Sequence, residues 1–174
     1  MNSRTRKLTL SALFVAMTLV MLYFASIWPT GQLGLAAVAS LFVAAAVIEL
    51  GIGSAVSVFI VSSLLGMLIL PNRTAPLLFI LFFGFYPIVK SLIERIRGNA
   101  LKWLFKLVVF NASLLVMWFF MREMLLGFAG DVQGAFFIFL VGSVIFIIFD
   151  FGYTKLIWFY IDRVSKFIRR GKNS

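Results

Sequence analysis

Four ionisable side chains interrupt stretches of this sequence that are otherwise apolar: Glu49, Lys90, Asp150 and Lys155. Charged groups are costly in hydrocarbon, so residues of this kind face the interior of a helix bundle and pair with one another, or they serve a transport pathway. Two interpretations are open. The four residues form intramembrane charge pairs or extend toward the membrane surface, or they have a coupling or gating role.

A second set of residues has the composition of a small-molecule pocket, which is typically apolar and aromatic with a few well-placed polar groups. These residues occur on predicted external connections and in the fifth helix. The predicted substrate-binding residues are Trp28, Gln32, Asn72, Arg73, Asn111, Trp118, Arg122, Asp131 and Gln133.

The members of this set also have simpler interpretations. Both tryptophans are placed where aromatic side chains anchor a helix at the lipid–water interface, and the charged members are compatible with solvated loop positions. Asn111 lies inside an apolar stretch, where an amide usually finds a partner. That partner is either a ligand or another helix.

Catalytic motifs are not found in the sequence. The chain contains no Cys and no His, which removes thiol chemistry, imidazole ligation and the usual nucleophile triads. It has no glycine-rich loop with the Gly-Lys-Ser/Thr ending that cradles ATP phosphates, and its carboxylates lack metal-ligand spacing. The sequence therefore predicts a protein that is not an enzyme and has no cofactor and no metal site.

The composition predicts an integral membrane protein. Hydrophobic residues make up 63% of the 174 residues and charged residues only 13%, and the mean hydropathy is +1.09. A soluble domain needs a larger charged surface than this. Because a helical span takes roughly 20 apolar residues, the length accommodates about six spans.

The predicted fold is an all-α, compact six-transmembrane-helix bundle that forms a single transmembrane domain over residues 1–174. The predicted spans cover residues 8–27, 35–50, 54–70, 75–95, 103–121 and 134–156. A basic tail at 157–174 alternates apolar and charged residues, which is typical of an amphipathic extension at a membrane surface. Pro87 removes a backbone donor and is expected to bend the fourth span.

The distribution of basic residues predicts the orientation. Arg4, Arg6 and Lys7 precede the first span, and cytoplasmic flanks of membrane proteins are enriched in Lys and Arg. With the N-terminus inside and six spans, only Arg73 and Arg122 fall outside. Both termini are therefore predicted to be cytoplasmic, and the net charge of +10 is explained by orientation rather than by nucleic-acid binding.

The first helix carries the sequence Ala12-Leu-Phe-Val-Ala16, which places two small side chains one turn apart on the same face. Together with the length, the six spans and the basic N-terminus, this pattern resembles the substrate-binding S component of an energy-coupling factor (ECF) vitamin transporter. The similarity in layout covers essentially the whole chain.

The resemblance implies a function and a set of partners. It implies a bacterial plasma-membrane protein in which Ala12 and Ala16 dock onto a transmembrane coupling subunit driven by two cytoplasmic ATPases. It also implies that the protein binds a vitamin or other small nutrient from outside, through the first outer loop and helices four to six. The sequence does not specify the nutrient.

Two other function classes share this layout. One is a structural membrane subunit of a cell-envelope assembly complex, which transports no ligand. The other is a lipid-handling protein that would use Asp150, Lys155 and Lys90 on lipid headgroups. Stabilisation by a water-soluble vitamin and co-purification with an ATPase pair distinguish the first interpretation from these two.

Overall fold

The structure, a computed structural model, describes residues 3–120 and 132–165, and it describes the side chains of residues 4–120 and 139–163. Every element in these ranges is helical. Six helices are long and apolar enough to cross a membrane, which confirms the predicted number: Arg4–Ile27, Pro29–Leu50, Ile52–Ile69, Thr74–Ile93, Asn99–Phe120 and Phe139–Arg163. The protein is therefore a multi-pass membrane protein, and its apolar helices are compatible with a lipid bilayer.

The spans are built from seven α-helices. They are α1 (Ser3–Ile27), α2 (Gln32–Leu50), α3 (Ile52–Ile69), α4 (Thr74–Leu78), α5 (Tyr86–Ile93), α6 (Asn99–Phe120) and α7 (Val132–Tyr160). A short 3₁₀ turn, Pro29–Gly31, joins α1 to α2, and α7 continues into a π-helical turn, Ile161–Ser165.

The chain divides into two compact units. The first consists of Met1–Leu92 with Phe159–Ser174, and the second consists of Ile93–Trp158. Along the chain the division falls near the end of α5 and again near the end of α7, between Trp158 and Phe159.

In the first unit α1, α2 and α3 pack against one another, and α4 packs against all three. Small residues form much of this interface, because in a membrane they let helix backbones approach closely. On α1 the buried positions Phe14, Thr18 and Leu22 recur every fourth residue. The buried alanines of the other two helices are Ala36, Ala39, Ala44, Ala45, Ala46 and Ala55.

A glycine makes the tight turn between α2 and α3. Gly51 has φ +88°, a backbone conformation that side chains other than glycine rarely adopt. Its amide donates to the carbonyl of Val47, and its own carbonyl accepts from the amide of Ala55. One residue therefore closes α2 and opens α3, which holds the two helices side by side.

The fourth span is interrupted in the middle. α4 continues into a π-helical segment, Phe79–Phe83, which ends where the Gly84 amide donates to the Phe79 carbonyl at 2.6 Å. The proline at 87 has no amide to offer the carbonyl four residues earlier, and its ring pushes that carbonyl away. A turn at residues 84–85 follows the π-helical segment, and α5 begins at Tyr86, one residue before the proline that is predicted to bend this span.

Gly84→Ala is expected to destabilise the first unit. A Cβ at this position would stand 2.7 Å from ring atoms of both Phe59 and Phe79, closer than carbon atoms pack. Overpacking of this kind costs about 1–3 kcal/mol, so we expect a lower Tm in detergent. Gly53→Ala is the matched control, because nothing lies within 4 Å of its added methyl group. Equal Tm values for the two variants would contradict the prediction.

In the second unit α6 runs against α7 in a regular ladder. The Phe110 and Phe146 rings stack with centroids 4.5 Å apart and planes at 13°. A Cβ on Gly142 would lie 3.6 Å from the Leu114 side chain. Leu114 is one turn after Phe110 on α6, and Gly142 is one turn before Phe146 on α7. Each four-residue step forward on α6 is thus matched by a four-residue step back on α7, as expected for antiparallel helices.

Candidate functional site

Four charged side chains of the second unit form a connected network, which we call the ion-pair cluster: Glu94, Lys102, Lys106 and Asp150. The Lys106 ammonium lies 2.7 Å from Glu94 Oε1 and 2.9 Å from Asp150 Oδ2. The Lys102 ammonium lies 3.3 Å from Glu94 Oε2. Lys106 therefore bridges two carboxylates, and Glu94 bridges two lysines.

Burial decreases across the ion-pair cluster from one end to the other. Asp150 is 2% exposed and Lys106 is 5% exposed, whereas the side chain of Glu94 is 44% exposed. Removing one member of a buried pair is strongly destabilising, because it leaves an uncompensated charge in a low-dielectric environment. The buried Lys106–Asp150 pair is thus the part of the cluster that stabilises the fold, and Glu94 is the member that solvent reaches.

Helix geometry explains why these residues meet. Lys102 and Lys106 lie one turn apart on α6, so both ammonium groups reach the same side of the helix. Glu94 stands in the connection that precedes α6, and Gly98 lets that connection turn with φ +105°. The α6–α7 ladder then places Asp150 opposite Lys106.

An aromatic ring adds to the environment of the buried lysine. The Lys106 ammonium lies 5.2 Å from the centroid of the Trp103 ring. A cation at this distance from an indole face is attracted by the ring quadrupole. The ring and the two carboxylates together compensate a charge that is costly to bury in apolar surroundings.

The pKa of the Glu94 carboxyl is held below its ordinary value of 4.5, first by the hydrogen bond from the Lys106 ammonium and then by Lys102, with partial burial opposing the shift. Because the pKa is lower in the folded protein than in the unfolded chain, the ionised carboxylate stabilises the fold at pH values above the ordinary pKa. That contribution is lost as the pH falls from 4.5 through the lowered pKa.

We therefore expect the Tm in detergent to fall when the pH is lowered from neutral to below 4.5. Glu94→Gln should show a smaller fall, because it has no carboxylate to titrate at this position. The comparison of the two pH profiles measures the contribution of Glu94 separately from all other carboxylates. Parallel pH profiles for both proteins would contradict the prediction that Glu94 contributes to the loss of stability at low pH.

The intramembrane residues predicted to form charge pairs lie in different environments. Asp150 pairs with Lys106, a residue outside the predicted set. Lys155 is exposed and its ammonium lies 4.9 Å from the centroid of the Phe151 ring. Lys90 is buried, with its ammonium 5.8 Å from the Tyr86 ring centroid. Glu49 has one buried carboxylate oxygen, Oε1, with no hydrogen-bond partner in the part of the chain that the structure describes.

Four of the predicted substrate-binding residues belong to the first unit. Trp28 is exposed at the end of α1, and Gln32 is buried at the start of α2. Asn72 Oδ1 accepts a hydrogen bond from the Thr74 amide at 2.9 Å, which shapes the turn that begins α4. Arg73, next to it, is exposed. The structure thus places Trp28, Asn72 and Arg73 on the α1–α2 and α3–α4 connections, and Gln32 beside the first of these, at the start of α2.

The other predicted substrate-binding residues follow the fourth span. Asn111 donates to the Leu107 carbonyl at 2.9 Å and lies 3.4 Å from the Ser143 hydroxyl of α7, so its amide has a partner on another helix. Trp118 is half-buried near the end of α6. Arg122 and Asp131 lie outside the described residues, as does the side chain of Gln133.

The two predicted docking residues point away from the packed side of α1. Ala12 and Ala16 are both exposed, whereas Phe14 and Thr18 are buried. Successive α-helical residues are rotated by about 100°, so a residue two positions away lies on roughly the opposite side of the helix. The pair of small side chains therefore faces outward.

Sequence reasoning missed three members of the ion-pair cluster, Glu94, Lys102 and Lys106, and with them the partner of Asp150. The predicted fifth span began at residue 103 and left Lys106 beside the loop, whereas α6 begins at Asn99 and includes Lys106 in its second turn. The available signal was the four-residue spacing of Lys102 and Lys106, which puts both side chains on one side of a helix that follows Glu94. The contact with Asp150 spans 44 residues and has no local signature.

Comparison with known proteins found no match for the chain among family models, curated proteins or solved structures. Within the described ranges, no group of three or more Asp, Glu, His or Cys side chains is arranged to hold a metal ion.

Proposed function

We propose that this chain is the substrate-capturing S component of an ECF-type importer. The observation that carries the proposal is the outward orientation of Ala12 and Ala16 on the first span. Helix association in a membrane depends on close packing, and small residues one turn apart allow a second helix to approach the backbone. An exposed pair on α1 is available to a partner subunit.

The surroundings of the two alanines support a docking face. Thr9 continues the face by one turn, and its hydroxyl donates to the Thr5 carbonyl at 2.9 Å, which satisfies its polar group within the helix. Leu13 and Met17 beside the alanines are exposed and apolar. The face is therefore uncharged from residue 9 to residue 17, as a helix–helix contact within lipid requires.

Substrate capture is proposed at the opposite end of α1. Helices α1 to α4 pack on one another and are joined by short connections, so the α1–α2 and α3–α4 connections lie at the same end of the first unit. Trp28, Gln32, Asn72 and Arg73 lie on or beside these connections and combine an aromatic ring, two amides and a cation. That combination suits a small, polar, anionic or carboxylated nutrient.

The proposed residues of the second half complete the assignment. Asn111, Trp118, Arg122, Asp131 and Gln133 are proposed to contribute to capture from the fifth and sixth spans and the connection between them. The proposed orientation places both termini in the cytoplasm of a bacterial cell and the capture residues outside. A transmembrane coupling subunit and two ATPases would then supply the energy, since the chain has no ATP-binding motif of its own.

Ligand-induced stabilisation tests the proposal directly. The purified protein is heated in detergent with each member of a panel of water-soluble vitamins. One member should raise the Tm, because a ligand that binds only the folded protein stabilises it by about 2.7 kcal/mol at a concentration 100 times its Kd. Arg73→Gln should weaken this stabilisation, because it removes the cation proposed for capture.

Two further results bear on the proposal. Co-purification with a coupling subunit and an ATPase pair would support it independently of the nutrient. A protein that no vitamin stabilises and no ATPase accompanies would instead favour a structural subunit of an envelope complex.

A further inference from the structure

The connection between α5 and α6 carries more positive charge than the structure neutralises. Glu94 and Asp150 compensate Lys102 and Lys106 within the ion-pair cluster. Arg95 and Arg97, in the same connection, are exposed and form no ion pair with any described carboxylate. Two unmatched guanidinium groups therefore remain at the ends of two membrane spans.

Lys102 adds donor capacity beside these arginines. A lysine ammonium has three N–H donors. The structure gives Lys102 a contact with Glu94 at 3.3 Å, and its side chain is 24% exposed. It therefore retains donors for a second anionic partner. We call Arg95, Arg97 and Lys102 the basic connection patch.

An apolar stripe begins directly below the basic connection patch. Leu101, Leu104, Phe105 and Val108 are all exposed, and their spacing of three, four and seven residues puts them on one face of α6. Exposed side chains of this type on a membrane-spanning helix contact lipid acyl chains. The stripe starts next to Lys102, so the positive patch and the acyl-chain surface are continuous.

Trp103 gives the level of the membrane surface along α6, although it lies on the side of the helix roughly opposite the apolar stripe. Its ring is partly exposed in the first turns of α6, and tryptophan side chains are enriched at the headgroup level of a bilayer. The patch thus stands at the depth of lipid phosphates, and the stripe extends into the depth of the acyl chains.

We infer that the basic connection patch binds the headgroup of an anionic phospholipid whose acyl chains lie along the apolar stripe of α6. The phosphate is held by Arg95 and Arg97, with Lys102 as a third donor, and the guanidinium groups supply paired N–H donors that suit phosphate oxygens. The inference concerns a site other than the proposed substrate-binding residues. It stands or falls independently of the transport proposal.

Native mass spectrometry of the full chain provides the test. The protein in detergent is equilibrated with equal amounts of phosphatidylglycerol and phosphatidylcholine, and the bound lipids are counted. We expect retention of phosphatidylglycerol. Because each basic residue near a membrane surface contributes roughly a fivefold factor in affinity for anionic lipid, Arg95→Gln/Arg97→Gln should lower that affinity about 30-fold.

Two control variants separate a site from general charge attraction. Arg95→Lys/Arg97→Lys keeps both charges and should retain most of the preference for phosphatidylglycerol. Arg73→Gln removes one charge from a different connection and should leave the preference unchanged. The inference would be overturned if Arg73→Gln and Arg95→Gln/Arg97→Gln lost the same affinity for phosphatidylglycerol per charge removed.

A second measurement does not depend on the folding of the arginine variants. Leu104→Trp places a fluorescent reporter in the exposed apolar stripe, and brominated phosphatidylglycerol should quench its added fluorescence more than brominated phosphatidylcholine does. Equal quenching of this reporter by the two brominated lipids places the bound lipid elsewhere and overturns the inference. If soluble glycerophosphoglycerol, which has no acyl chains, displaces the lipid at equal concentration, the site recognises a free phosphate and the lipid assignment is wrong. Displacement by an acidic peptide alone would likewise identify a protein partner in its place.

Discussion

Under the proposed transport function, Ala16→Trp is expected to abolish nutrient uptake while leaving ligand binding unchanged. The side chain of Ala16 is exposed on α1, so an indole there meets no neighbour within the protein. It does prevent a second helix from approaching the backbone, and membrane helix contacts depend on that approach. Uptake of labelled nutrient by cells that contain the coupling module measures the first quantity, and ligand-induced stabilisation measures the second.

Ala12→Trp should behave in the same way, because it lies one turn earlier on the same face. Ala112→Trp is the matched control, since Ala112 is an exposed alanine on α6, away from α1 in the sequence. It introduces the same side chain into a lipid-facing position and should leave uptake intact. If both α1 variants transport normally, or if they lose ligand binding together with uptake, the docking role of this face is wrong.

Lys106→Met is expected to lower the free energy of unfolding by about 3–5 kcal/mol, the usual cost of removing one partner from a buried ion pair. The substitution keeps an unbranched side chain of similar length but removes the cation that lies 2.9 Å from Asp150. The measurement is the Tm in detergent, which should fall by roughly 10 °C for a chain of this size.

The double variant Lys106→Met/Asp150→Leu separates lost charge balance from lost packing. Replacing both members of a buried pair with apolar residues is often neutral or stabilising, so the Tm should return close to that of the unchanged protein. Lys155→Met makes the same substitution at an exposed lysine and should have little effect. A double variant as unstable as Lys106→Met would show that the cost comes from packing and not from the unpaired carboxylate.

The number of spans was predictable because it depends on composition over about 20 residues at a time. Ala12 and Ala16 were recognisable as a shared face because helix periodicity relates positions four residues apart. Pro87 marked the fourth span as the one where a bend was predicted, and the structure shows a π-helical segment in the same span, at Phe79–Phe83. These features are local, and local patterns are visible in one sequence.

The ion-pair cluster was not predictable in the same way. Its partners come from a connection, from α6 and from α7, and the α6–α7 register decides which residues face each other. A start of α6 placed four residues late moved Lys106 to the edge of the predicted span, and Asp150 was left with Lys90 and Lys155 as the available partners. Helix boundaries are the least certain part of a sequence-based prediction, and here they determined which charges could meet.

The bridge between Lys106 and Asp150 has a consequence for biosynthesis. Each of the two helices carries a charge that is costly to place in hydrocarbon when the helix enters the bilayer alone. Side by side, the two charges neutralise each other at 2.9 Å, and the penalty for insertion is reduced for both. The two spans, Asn99–Phe120 and Phe139–Arg163, are therefore suited to enter the bilayer together rather than one after the other.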